Sequence, residues 1–546
     1  MAEDIVVFRA RKIITMDPSC PEATHVAVRD GRVLAVGGEA ETSAWGPVRR
    51  DDRFRDLVLM PGLVEGHSHA MEGGVWSFTY TGFHARTDPE GRRWSGCDSI
   101  EAMIQRLIEA DRAMADPEAP LFAWGFDPIF FGTRRVVAAD LDRVSTTRPI
   151  LILHSNGHVL NVNSVILRRA GITAATEVAG VVRDAQGEPT GELAEMAAKY
   201  MAHKVVGNPF YEALENPQTL RRFGMAANRT GVTTATDLFS ALPDAAVDNY
   251  LRVTAEEDFP IRLVPAMNGQ AMAIEEGVAK ILRLRGRSTD RLRFGMVKLM
   301  TDGSIQGFSG RLRWPGYMGG RPNGVWNMAP EVLADYLDAY HAAGVQCHIH
   351  TNGDEAIEVM IGAIDRALQR TPRLDHRHTL QHCQMADAAQ FRRMAALGIC
   401  ANLFSNHVYY WGEEHWAHTM GPDRARRINA ARTAATSGVN FAIHSDAPVT
   451  PIGPLFTAWC AVNRLTAKGR VLGPEERISV PMALRAITLG AAWTLKLDHE
   501  IGSIEVGKAA DFCVLQDDPL EVAPERLKDV KVWGTVLGGR PFPVAA

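Results

Sequence analysis

A set of ionisable side chains stands where apolar runs give way to polar residues. These are His67 and His69 in LMPGLVEGHSHA, Lys298 and Asp302 in VKLMTDGS, His350 in HIHTNGDEAI, His382 in QHC and Asp446 in HSDAPV. Histidine and carboxylate are the usual protein ligands of divalent cations, and residues two apart on a strand point to one side, so His67 and His69 can share a target. Burying such groups uncompensated is costly. Gathered at the ends of separate strands, they are best explained by a bound cation. A divalent metal is therefore expected, one or two per chain. Zinc suits this donor set best, with manganese, iron, cobalt and nickel left open.

Such residues need a scaffold that brings distant strand ends together. Eight runs read as strands: LVLMPGLVEGHSH, GVTTATD, IRLVPAM, RFGMVKLMTDG, VQCHIHTNGD, HTLQHC, GICANLF and VNFAIHSDA. Helical patterns such as DEAIEVMIGAIDRALQR fall between the later ones. Alternating strands and helices predict an α/β fold, a distorted (β/α)8 TIM barrel, with its site at the carboxyl ends of the strands. The first sixty and last forty residues are hairpin-like, with Asp-Gly and Gly-Gly turns, and predict a small β-sandwich built from both termini. The expected division is 1–60 and 496–546 for that sandwich and 61–495 for the barrel. An insertion at about 76–220 is too long for one crossover and is expected over the barrel mouth.

Composition excludes other classes. The 546 residues are 46% hydrophobic and 23% charged, with a net charge of -5, whereas a nucleic-acid binder would be basic. No window approaches the roughly 20 apolar residues of a membrane span. The seven cysteines are scattered and include no CxxC pair, which argues against a disulfide framework or a thiolate zinc site. The opening MAEDIVVFRARKIITMD has acidic residues where a secretion signal needs basic ones; a cytoplasmic protein is expected.

The spaced motifs PGLVEGHSHA, VKLMTDGS, HIHTNGDEAI, QHC, HSDAPV and ALRAITLGAA...GSIEVGKAADFCVL together resemble the amidohydrolase superfamily. More closely they resemble its amidohydrolase-3 branch of N-substituted formamide deformylase-like enzymes. The resemblance implies a binuclear metal centre in which His67 and His69 hold the more buried ion, His350 and His382 the other, and Asp446 completes the buried site. Lys298 matches a lysine that is N6-carboxylated and bridges the two metals. It also implies homo-oligomers, dimers or larger. The sequence departs from many relatives at Gln381, where glutamate is common, and at His444, where glycine is common. His348 stands two residues from His350 and competes with it as a ligand, although the HxxGD pattern favours His350.

Such a centre activates water and polarises a carbonyl, with Asp446 placed as general base and then acid. Hydrolysis of an amide-like C–N bond in a small molecule is the expected reaction. Ester or lactone hydrolysis, and a decarboxylase or C–C lyase on the same metal, are the alternatives. Aromatic residues in FAWGFDPIFFG and SNHVYYWGEEHW, including Trp124, Phe126, Phe130, Phe131, Tyr409, Tyr410 and Trp411, are candidates for an apolar substrate pocket. His154, Asn156, His158 and His407 are candidate polar contacts, and Asp302 a candidate to orient Lys298 or a loop. Arg311, Arg313 and Arg321 are read as solvated surface residues, with contact to an anionic substrate group as the alternative.

Overall fold

The computed structural model describes residues 5–132 and 134–544. Eight parallel strands form the central sheet: β1 (Leu63–Glu65), β2 (Val232–Ser240), β3 (Arg262–Asn268), β4 (Met296–Met300), β5 (Gln346–Thr351), β6 (Thr379–His382), β7 (Cys400–Leu403) and β8 (Phe441–Ile443). Each overlaps one of the eight expected runs, and they pair in chain order from β1 to β8. Beyond the ends of β1 and β8, Ser68 and Ala447 form an isolated parallel bridge. There His69 N–H donates to Ala447 O at 2.8 Å and Asp446 N–H to His67 O at 3.2 Å. The curled sheet is thus joined edge to edge at the residues that carry the candidate ligands.

Local chemistry explains the helices that cover it. Asp354–Arg370 buries Ala356, Ile357, Met360, Ile361, Ala363, Ile364 and Ala367, a stripe with the 3.6-residue period of an amphipathic helix. Ala388–Leu397 starts with a capping box, Asp387 Oδ1 accepting from Gln390 N–H and Gln390 Oε1 from Asp387 N–H, and stops at the left-handed Gly398. Inside the sheet, Val64, Leu238, Val264, Ala266, Met296 and Ala442 pack on Ala491, Ala492 and Leu495. This apolar plug leaves the polar residues at the other end of the strands.

Both termini do share one β unit. Ile5–Ile14, Glu22–Arg29, Arg32–Gly37 and Val48–Pro61 join Phe512–Leu515, Val532–Leu537 and Arg540–Pro543 in one continuous seven-stranded sheet. Val48–Pro61 makes the connection, pairing parallel with Ile5–Ile14 and antiparallel with Phe512–Leu515. Between β1 and β2 lies a further six-stranded sheet made of Thr79–Tyr80, Leu121–Phe126, Ile150–His154, Val159–Val162, Val181–Arg183 and Pro189–Ala194. No helix among the described residues is long and apolar enough to cross a membrane.

Candidate metal centre and active site

The strand ends bring five of the six expected ligands into one buried group. Asp446 Oδ1 lies 3.2 Å from both His67 Nε2 and His69 Nε2, and Asp446 Oδ2 lies 3.8 Å from His382 Nδ1. His382 Nε2 is 3.0 Å from His350 Nδ1. Lys298 lines the same cavity with its ammonium nitrogen buried and without a hydrogen-bond partner. Asp446 Oδ1 and His382 Nδ1 also lack hydrogen-bond partners. Donor atoms of a tetrahedral site with bonds of about 2.0–2.1 Å sit about 3.3 Å apart, so the 3.2 Å spacing around Asp446 Oδ1 suits convergence on a cation. Buried polar atoms left without partners point the same way.

The groups behind the ligands fix their orientation. His67 Nδ1 is 2.7 Å from Gln381 Oε1, and His69 Nδ1 is 2.6 Å from Leu238 O. Each ring is thereby turned with Nε2 toward Asp446, as outer partners of metal-bound histidines usually do. The Gln381 amide also donates to His348 Nδ1 at 2.6 Å and accepts from Asn402 at 3.0 Å. His348 Nε2 is 3.1 Å from Thr494 O. Both its nitrogens are therefore engaged below the cavity, and His350 is the one that faces it.

Burial dominates the electrostatics. It lowers His67 to about 4, assisted by Lys298, and lowers His350 and His382 well below the ordinary histidine value. Neutral imidazole is the form that binds metal. Burial likewise pushes Lys298 down to about 7 against the opposing pull of Asp446. For Asp446 burial acts upward but is outweighed by His67, His69 and His382, which hold it well below the usual carboxylate range.

His444 reaches the cluster but does not fit as a co-ligand of His67. The two rings are stacked, 4.5 Å apart and 15° from parallel, and Phe404 stacks on the other side of His444 at 4.9 Å. Imidazole lone pairs lie in the ring plane, so near-parallel stacked rings cannot both aim at one ion. His444 acts as a slab that supports His67.

The cavity above the ligands has a volume of about 460 Å3, a size that suits a small molecule. Trp124, His154, Asn156 and His158 line it, as do Met71, Met196, Met300 and Met328. Several expected pocket residues do not. Phe126 is stacked on Phe131 at 5.3 Å. Tyr409 packs on Phe456 and Trp459, and Trp411 turns its indole N–H to Asp127 at 3.0 Å. His407 pairs with His415 and Gln384. Asp302 accepts from the backbone N–H groups of Asn352, Gly353 and Arg311, so it organises the loops after β4 and β5. Arg311 and Arg313 bind Glu355 and Glu358, and Arg321 lies over Phe308.

Sequence reasoning missed other residues at the site. Glu195 and Lys199 line the cavity from the helix Glu195–Val206. Arg86 donates to Pro448 O at 2.5 Å and pairs with Glu72 at 3.2 Å, tying the chain just after Asp446 to the helix just after His69. These pairings join segments far apart in the chain, so no local motif marks them.

The curled parallel sheet with histidine and aspartate at its strand ends defines a mixed α/β, barrel-like architecture with a candidate metal site. The amidohydrolase family model matches residues 55–543, and the chain belongs to that family of metal-dependent hydrolases. It is 28% identical to the protein LONG AFTER FAR-RED 3 of Arabidopsis thaliana, over 97% of this chain and 90% of that one. It is 26% identical to an N-substituted formamide deformylase of Arthrobacter pascens, over 98% and 97% of the two chains. An uncharacterized metal-dependent hydrolase from Pyrococcus horikoshii shares the fold with a TM-score of 0.72 at 20% identity, covering 95% of this chain and 99% of that one.

Proposed function

We propose that this protein hydrolyses an amide-like C–N bond, N-formyl, N-acyl or cyclic, in a small neutral substrate with a bulky apolar part. The carrying observation is Asp446, whose Oδ1 sits 3.2 Å from two histidine nitrogens in a buried group with the partnerless Lys298. His67, His69 and Asp446 would hold one divalent ion, with zinc the best fit to these donors, and His350 and His382 a second. Lys298, as an N6-carbamate, would offer oxygens to both, which a free ammonium could not. Bound there, the metal supplies Lewis acidity, which makes water nucleophilic near neutral pH and polarises a carbonyl.

The chain's own groups do the rest. Asp446 Oδ2, the oxygen farther from His67 and His69, takes the proton from water and returns it to the leaving nitrogen. Gln381 and the Leu238 carbonyl keep His67 and His69 in the required tautomer. Trp124 with Met71, Met300 and Met328 provides an apolar wall for a group whose shape can vary, because unbranched thioether side chains repack readily.

The test joins metal analysis with turnover of N-formyl and N-acyl aromatic amines. About two divalent ions per chain, fewer in Lys298→Ala, together with amine release, are expected for a bridged centre. One ion unaffected by Lys298→Ala would remove the carbamate bridge, and carbon dioxide release without amine would replace hydrolysis by decarboxylation.

A further inference from the structure

Beside His350 the cavity wall contains a histidine to which the metal reading assigns no role. The turn between Ile150–His154 and Val159–Val162 passes through Gly157 at φ 72° and presents His158 to the cavity, its ring 5.8 Å from that of His350. His158 Nδ1 lies 3.1 Å from Glu195 Oε2. An ionised carboxylate can only accept, so Nδ1 carries a proton toward Glu195; in the neutral form of the ring Nε2 is then the acceptor.

The arrangement is held from several sides. Glu195 sits at φ 59°, a left-handed conformation that costs a non-glycine residue energy. Its backbone N–H donates to His158 O at 2.8 Å. Asn156 Oδ1 accepts from His158 N–H at 2.8 Å, and Lys199 donates to Gly157 O at 2.5 Å. Strain retained inside such a network is commonly tied to function. Three other polar side chains of the wall have partners elsewhere: Gln270 with both backbone groups of Met300, Asp237 with Ala70 N–H and the Tyr250 hydroxyl, and His154 with Asn161.

We propose that His158 Nε2 accepts a hydrogen bond from the N–H of the scissile amide, so that secondary amides are the substrate class, with Glu195 the positioning residue that fixes the ring tautomer. This rests on the amide reading above. Esters and N,N-disubstituted amides offer no N–H and leave Nε2 without that hydrogen bond beneath the bound substrate, which is how a polar site disfavours an analogue.

The experiment is calorimetric titration of the full-length, metal-stripped protein with N-benzylformamide and with its N-methyl counterpart. The probe bearing N–H is expected to bind about five- to tenfold more tightly, the worth of one hydrogen bond. His158→Ala abolishes the difference, with His158→Phe as the substitute if the alanine variant does not fold. Glu195→Gln retains most of it, because the amide oxygen still accepts from Nδ1–H, whereas Glu195→Ala reduces it. Equal affinities in the unmodified protein, a difference that survives loss of His158, or no binding of either probe overturns the proposal. Binding is read without turnover, so a protein that discriminates the probes yet releases no amine would refute the hydrolase reading and not this one.

Discussion

Arg86→Met should loosen the metal centre without touching a ligand. Arg86 is buried with Glu72, their side chains 5% and 3% exposed, and it bridges Glu72 Oε2 at 3.2 Å and Pro448 O at 2.5 Å while lying over the Trp124 ring at 5.0 Å. Pro448 follows Asp446 by two residues and Glu72 follows His69 by three. Removing one partner of a buried pair strands the other charge and costs about 3–5 kcal/mol. Glu72, already raised by burial and held down chiefly by Arg86, would then take up a proton to limit the loss.

Thermal melting would register this weakly. With an unfolding entropy of about 2.1 cal/mol/K per residue, a cooperative chain of 546 residues loses only about 3–4 °C. The sharper assay is the rate at which a chromophoric chelator withdraws metal, measured alongside urea denaturation. Arg86→Met should release metal at least about tenfold faster, in the range found for groups that orient ligands from behind. Glu72→Gln combined with Arg86→Met should recover part of the stability, since no charge is then stranded, but not the metal retention, since Pro448 stays unanchored. Metal release unchanged in the single variant would show that the Asp446 loop is held by other contacts and refute the clamp.

Two further outcomes follow from other parts of the fold. Gly353→Ala should destabilise the protein by about 1–3 kcal/mol, because its Cβ would lie 1.7 Å from the Arg311 carbonyl oxygen; an alanine variant with an unchanged urea midpoint would show that this loop can retreat. The second concerns His341, His376 and His378, which form a buried hydrogen-bonded chain whose values are all lowered from 6.5, by burial first. Above that pH neither folded nor unfolded forms are charged, and below it only the unfolded chain takes up the protons, so stability falls as pH drops, by at most about 1.4 kcal/mol per unit per histidine. Urea midpoints from pH 8 to pH 5 should decline, less steeply in His378→Gln; identical slopes would remove this chain from the acid response.

The ligand ends of the strands were legible because both signals are local. An apolar run defines a strand, and the ionisable residues within or just after it mark candidates, as Lys298 does in β4 and His350 in β5, although His348 in β5 turns away from the cavity. Which face of an element looks into the cavity is not local. Tyr409 and Trp411 sit in an aromatic-rich helix after β7, and nothing in SNHVYYWGEEHW records that Phe456 and Asp127 lie against them. The partner that gives His158 its tautomer is 37 residues away. The terminal β unit was legible as strands but not as one sheet, because the long Val48–Pro61 strand that joins both termini is defined by its partners.

These residues also explain why closing the sheet and building the site are one event. β1 and β8 share no strand pairing, only the bridge at Ser68 and Ala447 and the backbone bonds of His69 and Asp446. His67, His69 and Asp446 therefore stand on opposite sides of the weakest seam of the barrel. A cation held by all three cross-links that seam in the folded state alone, so its binding energy adds to folding. Arg86 spans the same seam from above through Glu72 and Pro448, and Glu65 spans it from below through the Ser445 hydroxyl and N–H. The segment between β1 and β2, which supplies Arg86 and His158, thus contributes both to this seam and to the wall of the cavity.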